Sequence, residues 1–309
     1  MSLVVNTNVA SMNAQRSLMT SGRELQTAME RLSTGKKINS AADDAAGFAI
    51  AESMTAQIRG LSMAAKNASD ALGLLKVVEN ATNDVTDMLQ RIRELAVQAQ
   101  SGTNSTGDVA NLQQEANALI DEINRVSEDT TYNGVAYIGS QEGSKNIQVG
   151  YNDGDSISIT TYDVGADKLG VMINNAATAS PTDDKVLYAL KDATLHSATG
   201  GYLNIAQTAT AESGTTNRTP GALEVISKAI DQLGSYKAEW GAGQNRLEYT
   251  VSNLMNVVEF TTAARSRIQD ADFAVEAARL AKAQVLQQTG TAMLAQANAS
   301  PQLAISLLS

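Results

Sequence analysis

From residue 58 to residue 99 the chain reads IRGLSMAAKNASDALGLLKVVENATNDVTDMLQRIRELAVQA. Its stripe positions recur at gaps of three and four: Ile58, Leu61, Ala65, Ala68, Leu72, Leu75, Val78, Thr82, Val85, Leu89, Ile92, Ala96 and Ala99. A mean spacing of 3.5 residues keeps one face of a helix turned toward a partner helix. A second such stretch runs from Leu223 to Ile268 through Leu233, Trp240, Leu247 and Leu254, with Lys237 and Gln244 as polar members. Each covers roughly 40 residues, and at ~1.5 Å per residue each helix is roughly 60 Å long. That exceeds the width of a compact domain of this size. The pattern predicts a mainly α protein, an elongated rod of long antiparallel helices, built to assemble more than to catalyse.

Composition narrows the choice. Three prolines (Pro181, Pro220, Pro301) leave every helix before residue 180 without a proline stop. Aromatic content is 4%, which suits narrow seams of Leu, Ile, Val and Ala better than a conventional globular core. The net charge of −10 is spread along the helices, unlike the clustered Lys and Arg of a nucleic-acid surface. With no cysteine there are no disulfides, thiolate metal sites or cysteine nucleophiles. The single histidine, His196, cannot build a HExxH zinc site. No cofactor is expected. No run of 18 apolar residues could cross a membrane. The N-terminus lacks the basic and apolar regions of a secretory signal, which by itself reads as cytoplasmic.

Residues 9–33 form a first amphipathic helix with Leu18, Leu25 and Leu32 spaced by seven, ended by Gly35. Ser40 with Asp43, and Ser105 with Asp108, have capping-box spacing for the next two helices. Around residues 147–161 the period changes to two across Asn152-Asp153-Gly154-Asp155, which is a β-hairpin signal. From about Asn174 to Arg218 the chain is rich in Ala, Thr, Ser, Gly and Asn without a period, and reads as a surface insert. Thr219-Pro220 supplies an N-cap and N1 proline for the second long helix. A last helix over about 272–298 ends at Pro301.

Several words of the sequence are then recognisable in order: Asn6-Thr7-Asn8, Glu30-Arg31-Leu32-Ser33-Thr34-Gly35, Ile38–Gly47, Gln90–Gln98, Tyr132-Asn133-Gly134, Ala264–Asp272, Gln287-Gln288-Thr289-Gly290 and Leu294–Asn298. The chain resembles bacterial flagellin, the subunit of the flagellar filament, over about residues 1–175 and 219–309. The resemblance implies a terminal coiled-coil domain (1–42 with 265–309), a helical rod domain with a β-hairpin (43–175 with 219–264) and a short variable surface insert (176–218). It also implies self-assembly into a helical homopolymer and secretion through the flagellar export apparatus with an export chaperone, which reverses the cytoplasmic reading. Filament cap and hook-filament junction proteins are further implied partners; nucleic acid and membrane insertion are not. A flagellin-like hook-filament junction protein is the alternative of the same class. A flagellin carrying a metallopeptidase lacks its HExxH here, and a cytoplasmic coiled-coil scaffold would leave the hairpin unexplained.

Two residue sets are candidates. The assembly seam comprises Leu18, Leu25, Leu32, Leu280, Leu294, Ile305, Leu307 and Leu308. Arg91 and Leu95 lie four apart on one helix face, off the stripe of Leu89, Ile92 and Ala96, and are expected to be free for contact. A solvated face or an ordinary subunit contact is the plain reading of that pair. Together with Glu115 they match flagellin positions that bind Toll-like receptor 5 of vertebrate hosts, so the resemblance implies receptor recognition of the monomer.

Overall fold

The computed structural model describes residues 8–174, 185–191, 201–211 and 218–306. Among the described residues there are five helices: α1 (Val9–Thr34), α2 (Ala45–Ala99), α3 (Thr106–Asp129), α4 (Ala222–Gln269) and α5 (Phe273–Ser306). Between α3 and α4 lie six short strands, β1 (Gly143–Gln148), β2 (Ser156–Thr161), β3 (Gly170–Asn174), β4 (Lys185–Ala189), β5 (Thr210–Ala211) and β6 (Arg218–Thr219). They pair as three antiparallel two-stranded ladders, β1–β2, β3–β4 and β5–β6. The chain divides into two compact units, Met1–Gly60 with Asn256–Ser309, and Leu61–Met255.

Local chemistry sets the boundaries. Asn8 caps α1 by accepting from Ser11 N at 3.0 Å, and Gly35, at φ 70°, closes its other end by donating to Arg31 O. Ser105 and Asp108 form the full reciprocal capping box of α3. At α2 the cap lies four residues beyond the expected Ser40, at Asp44. Asp43 Oδ2 accepts from the backbone N–H groups of Asn39 and Ser40, holding the approach turn, while Asp44 Oδ1 accepts from Gly47 N. α4 begins at Ala222, where the Gly221 carbonyl accepts from Glu224 N and Val225 N; the side chain of Thr219, the expected cap, lies outside the described residues. The expected hairpin is β1–β2, with Ile147 opposite Ile157 and Gly154 at φ 88° in the turn. Its alternation is clean, with Ile157 and Ile159 buried and Ser156 and Ser158 exposed.

In the unit Leu61–Met255 the core lies where α2, α3 and α4 meet the hairpin. The stripe read from the sequence is buried from Leu75 to Ala99, and Leu75, Val85, Leu89, Ile92 and Ala96 are fully enclosed. A second row of α2, with Ala64, Ala71, Leu74, Ala81 and Leu95, is buried as well. One helix in a bundle meets more than one neighbour, so its apolar face is wider than a two-helix seam. On α4, Trp240 is 2% exposed and donates from Nε1 to Thr160 O at 2.9 Å. The polar stripe members act as cross-links between α4 and α2: Lys237 Nζ donates to Asn83 Oδ1 at 2.6 Å and Gln244 Nε2 to Glu79 Oε2 at 3.0 Å. Such polar seam positions fix register.

The stretch expected as a surface insert is partly core. Leu190, Leu203 and Ile205 are buried to 1% exposure or less. Gln113 on α3 clamps this segment, donating to Leu203 O and accepting from Ile205 N, and Asp121 accepts from Lys191 Nζ and Tyr202 Oη. The physical reason is packing: those apolar residues join the core cluster beside α3. Residues 175–184, 192–200 and 212–217 lie outside the described residues.

In the unit Met1–Gly60 with Asn256–Ser309, α1 pairs with α5. Gly290 allows close approach, since a Cβ there would meet Leu18 Cδ1 at 3.2 Å. The last helix does not stop at Pro301 but continues to Ser306. Proline has no N–H to offer the carbonyl four residues earlier. Asn8 Nδ2 supplies the missing donor, reaching Ala297 O at 2.7 Å.

Candidate functional site

The seam comes first. Leu18, Leu25 and Leu32 on α1, and Leu280 and Leu294 on α5, are all half-buried. The deepest places between the two helices go to smaller or polar groups: Ala28 is 2% exposed, Ala283 1%, Glu276 4% and Ser21 8%. The side chain of Ile305 and all of Leu307 and Leu308 lie outside the described residues. Outside the seam, Met12, Met19, Met29, Val285 and Met293 are more than half exposed. Sequence periodicity ranks leucines above alanines, and so misses that the tightest contact is made by small residues.

Glu276 was also missed. Its Oε1 accepts from Arg31 Nη1 at 3.2 Å and from Arg279 Nη1 at 2.8 Å. The cost of taking both charges out of water offsets much of the attraction in a buried pair of this kind, whereas removing one partner leaves the other charge uncompensated. It borders a groove of about 560 Å³ between the helices, lined by Arg23, Arg31, Arg279 and Lys282 with Glu24 and Glu276. The i,i+3 spacing of Glu276 and Arg279 was visible, but nothing in the sequence pairs Arg31 with residue 276.

At the second candidate site α2 and α3 lie side by side and join Arg91 to Glu115. The guanidinium binds Glu115 Oε1 through Nε at 2.9 Å and Nη2 at 2.8 Å, and reaches Glu94 Oε2 through Nη1 at 3.0 Å. Hydrogen bonding to Glu115, then Glu94, raises the Arg91 pKa above its ordinary value. Arg91 and Glu115 remain about half exposed, so the pair presents both charges to solvent.

Leu95 is different. It is 1% exposed and belongs to the core of its unit, so the expectation of a free apolar anchor there is corrected. Four residues is one helical turn plus about 40°, and that rotation carries Leu95 from the exposed face of Arg91 into the second buried row of α2. The exposed apolar side chain of this region is Val97, 57% exposed, in a groove of about 600 Å³ with Gln90, Arg93, Glu94, Gln98 and Ile230. Among the described residues no group of His, Asp and Glu could hold a metal ion, and no helix is long and apolar enough to cross a membrane.

Comparison with known proteins places this architecture. The bacterial flagellin N-terminal helical region matches residues 5–139, and the bacterial flagellin C-terminal helical region matches residues 223–308. The hairpin and the strands after it lie between the two. Flagellin of Xenorhabdus nematophila is 40% identical over 312 residues, covering the whole of both chains. Flagellin A of Vibrio anguillarum is 35% identical over 378 residues and Flagellin B of Vibrio cholerae 34% over 375, again over the whole of each chain. Paired terminal helices, a helical core unit and these matches lead to one conclusion: the chain belongs to the bacterial flagellin family, the structural subunits that self-assemble into the flagellar filament.

Proposed function

We propose that this subunit assembles by coupled folding and association, with the terminal segments 1–42 and 265–309 pairing stably only when neighbouring copies cover them. The observation that carries this reading is the state of α1 and α5. Their seam leucines are half-buried and a row of Met, Val and Phe side chains stands exposed, including Phe273 at 60% and Val285 at 60%. An isolated pair of helices with that much uncovered apolar surface gains too little burial to offset its ordering entropy. Contacts between different faces of successive copies, repeated without closing, generate a helical polymer. In this reading Leu18, Leu25, Leu32, Leu280, Leu294, Ile305, Leu307 and Leu308 are the assembly seam, and the subunit is non-catalytic.

Trypsin tests it directly. In the free subunit α1 and α5 should be cut at Arg16, Arg23, Arg279 and Lys282, while the polymer protects them; equal protection in both states overturns the reading. Electron microscopy after seeding separates long filaments from the short segments a junction protein would form. The family further supports export through the flagellar secretion channel with a chaperone, and contact with filament cap and junction proteins. Recognition of the free subunit by Toll-like receptor 5 is proposed at the exposed Arg91–Glu115 pair, with Leu95 beneath it as packing support. Arg91→Ala and Glu115→Ala should each weaken receptor binding roughly tenfold; unchanged binding in both removes the receptor from this face.

A further inference from the structure

On α1 the seam leucines repeat by seven, so a slip of seven exchanges Leu18, Leu25 and Leu32 among themselves and their burial alone does not fix the alignment with α5. On α1 the residues facing α5 include Ala14, Leu18, Leu25 and Leu32; on α5 they include Leu280, Ala283 and Leu294. Unique chemistry must therefore mark one alignment. At one end of the pair Arg31 meets Glu276. At the other end the mark is an absence in the backbone. Pro301 is the sole proline of α5, so Ala297 O is the one carbonyl in that helix whose regular i+4 donor is missing because of a proline. Asn8 uses both ends of its amide there. Oδ1 accepts from Ser11 N at 3.0 Å and caps α1, and Nδ2 donates to Ala297 O at 2.7 Å. Ser11 Oγ donates to Asn298 Oδ1 at 2.8 Å beside it.

We propose that Asn8 and Pro301 form a register key for the terminal helix pair. The proline opens one acceptor in α5 ahead of the carbonyls that its last turn leaves free, and Asn8 is the positioning residue that reads it. Asparagine suits the task because one side chain must be an N-cap acceptor and a donor at once. Aspartate would cap equally well but could not donate. The proposal rests on the assembly reading only in that the polymer is where the pair is measured.

The chain has no cysteine, which allows a clean test. A Cβ built on Gly290 lies 4.0 Å from Leu18 Cβ, inside the disulfide range of about 3.5–4.5 Å. Leu18→Cys with Gly290→Cys therefore reports this register as an intrachain disulfide, read on non-reducing gels after co-polymerisation as a minor component with the unmodified chain. N8D in that background should lower the ratio of bridged to unbridged chain about fivefold to tenfold, the worth of one hydrogen bond to an otherwise orphaned carbonyl. P301A restores an N–H to α5, so N8D combined with P301A should regain the bridge within about twofold. If N8D fails to enter the polymer and the combined variant enters it, the key is supported; if both fail, it is overturned. An equal loss from N8D with and without P301A means that the effect does not pass through the carbonyl opened by Pro301 and overturns the key, as does an unchanged yield with N8D. Failure of the unmodified chain to polymerise would count against assembly instead, and the same disulfide cycle is then read on the free subunit.

Discussion

Leu95→Ala and Arg91→Ala, one helical turn apart on α2, should have opposite physical consequences. Leu95 is 1% exposed within the core where α2 meets α3 and α4. Truncating a buried leucine loses its transfer free energy and leaves a cavity that relaxes only in part, at a cost of about 2–5 kcal/mol. In a unit the size of Leu61–Met255 each kcal/mol moves the melting temperature by about 2–4 °C. Leu95→Ala should therefore melt roughly 4–20 °C lower than the unmodified subunit. Arg91→Ala removes ion pairs to Glu94 and Glu115 that stand in water, and exposed pairs contribute little, so its melting temperature should hardly move. Differential scanning calorimetry of the free subunit, with receptor binding measured well below the transition, separates the two roles. A melting temperature for Leu95→Ala equal to that of the unmodified subunit would refute the burial argument and return Leu95 to the surface.

Other outcomes follow from the same contacts. Leu25→Glu puts a carboxylate into the α1–α5 seam and should raise the critical concentration for polymerisation at least tenfold, whereas Gln26→Glu places the same charge on the exposed face next to it and should change it far less; equal effects would sink the seam assignment. Deleting residues 176–218 should lower the denaturation midpoint of the subunit, because Leu190, Leu203 and Ile205 leave the core with the segment, and an unchanged midpoint would mean that those side chains do not support α3. Asp121 is held below the ordinary carboxylate pKa by hydrogen bonds from Lys191 first and then Tyr202. Asp43 is lowered by the backbone of Ser40 and Asn39, and Asp108 by the Ser105 hydroxyl. A depressed folded-state pKa adds stability above the unfolded value, near 4, that disappears as pH falls through the folded one. Denaturant midpoints should thus fall below about pH 4, less steeply in Asp121→Asn; the same slope in both proteins would remove Asp121 from the account.

The helical frame was legible because periodicity is a local property. Leu75, Val85, Leu89 and Ile92 on α2, and Leu233, Trp240 and Leu247 on α4, declare the seam by spacing alone. What stayed hidden depends on a third partner. Leu95 has the same spacing from Arg91 as any surface pair, and only α3 lying alongside determines that one is covered and the other exposed. Leu190, Leu203 and Ile205 are single apolar residues among Ser, Thr and Gly, so they generate no period, although they are as deeply buried as the stripe. Pro301 reads as a helix stop until Asn8, 293 positions earlier, is seen to satisfy the carbonyl it leaves open. Of the candidate sites, the Arg91–Glu115 pair was found through resemblance, and Glu276 had no signal apart from its own helix.

The aromatic residues of the chain are partitioned by unit. Trp240 and all eight tyrosines fall within Leu61–Met255, with Tyr162 and Tyr236 stacked at 4.0 Å near Trp240. The unit formed by the two chain ends holds only Phe48, Phe260 and Phe273. Tyrosine and tryptophan emission consequently originates in the Leu61–Met255 unit, while phenylalanine absorption originates in the unit of the chain ends, from Phe48 on α2, Phe260 on α4 and Phe273 on α5. The protein carries two optical channels, and a growing polymer can be followed in one while the integrity of its helical core is watched in the other, with no label attached.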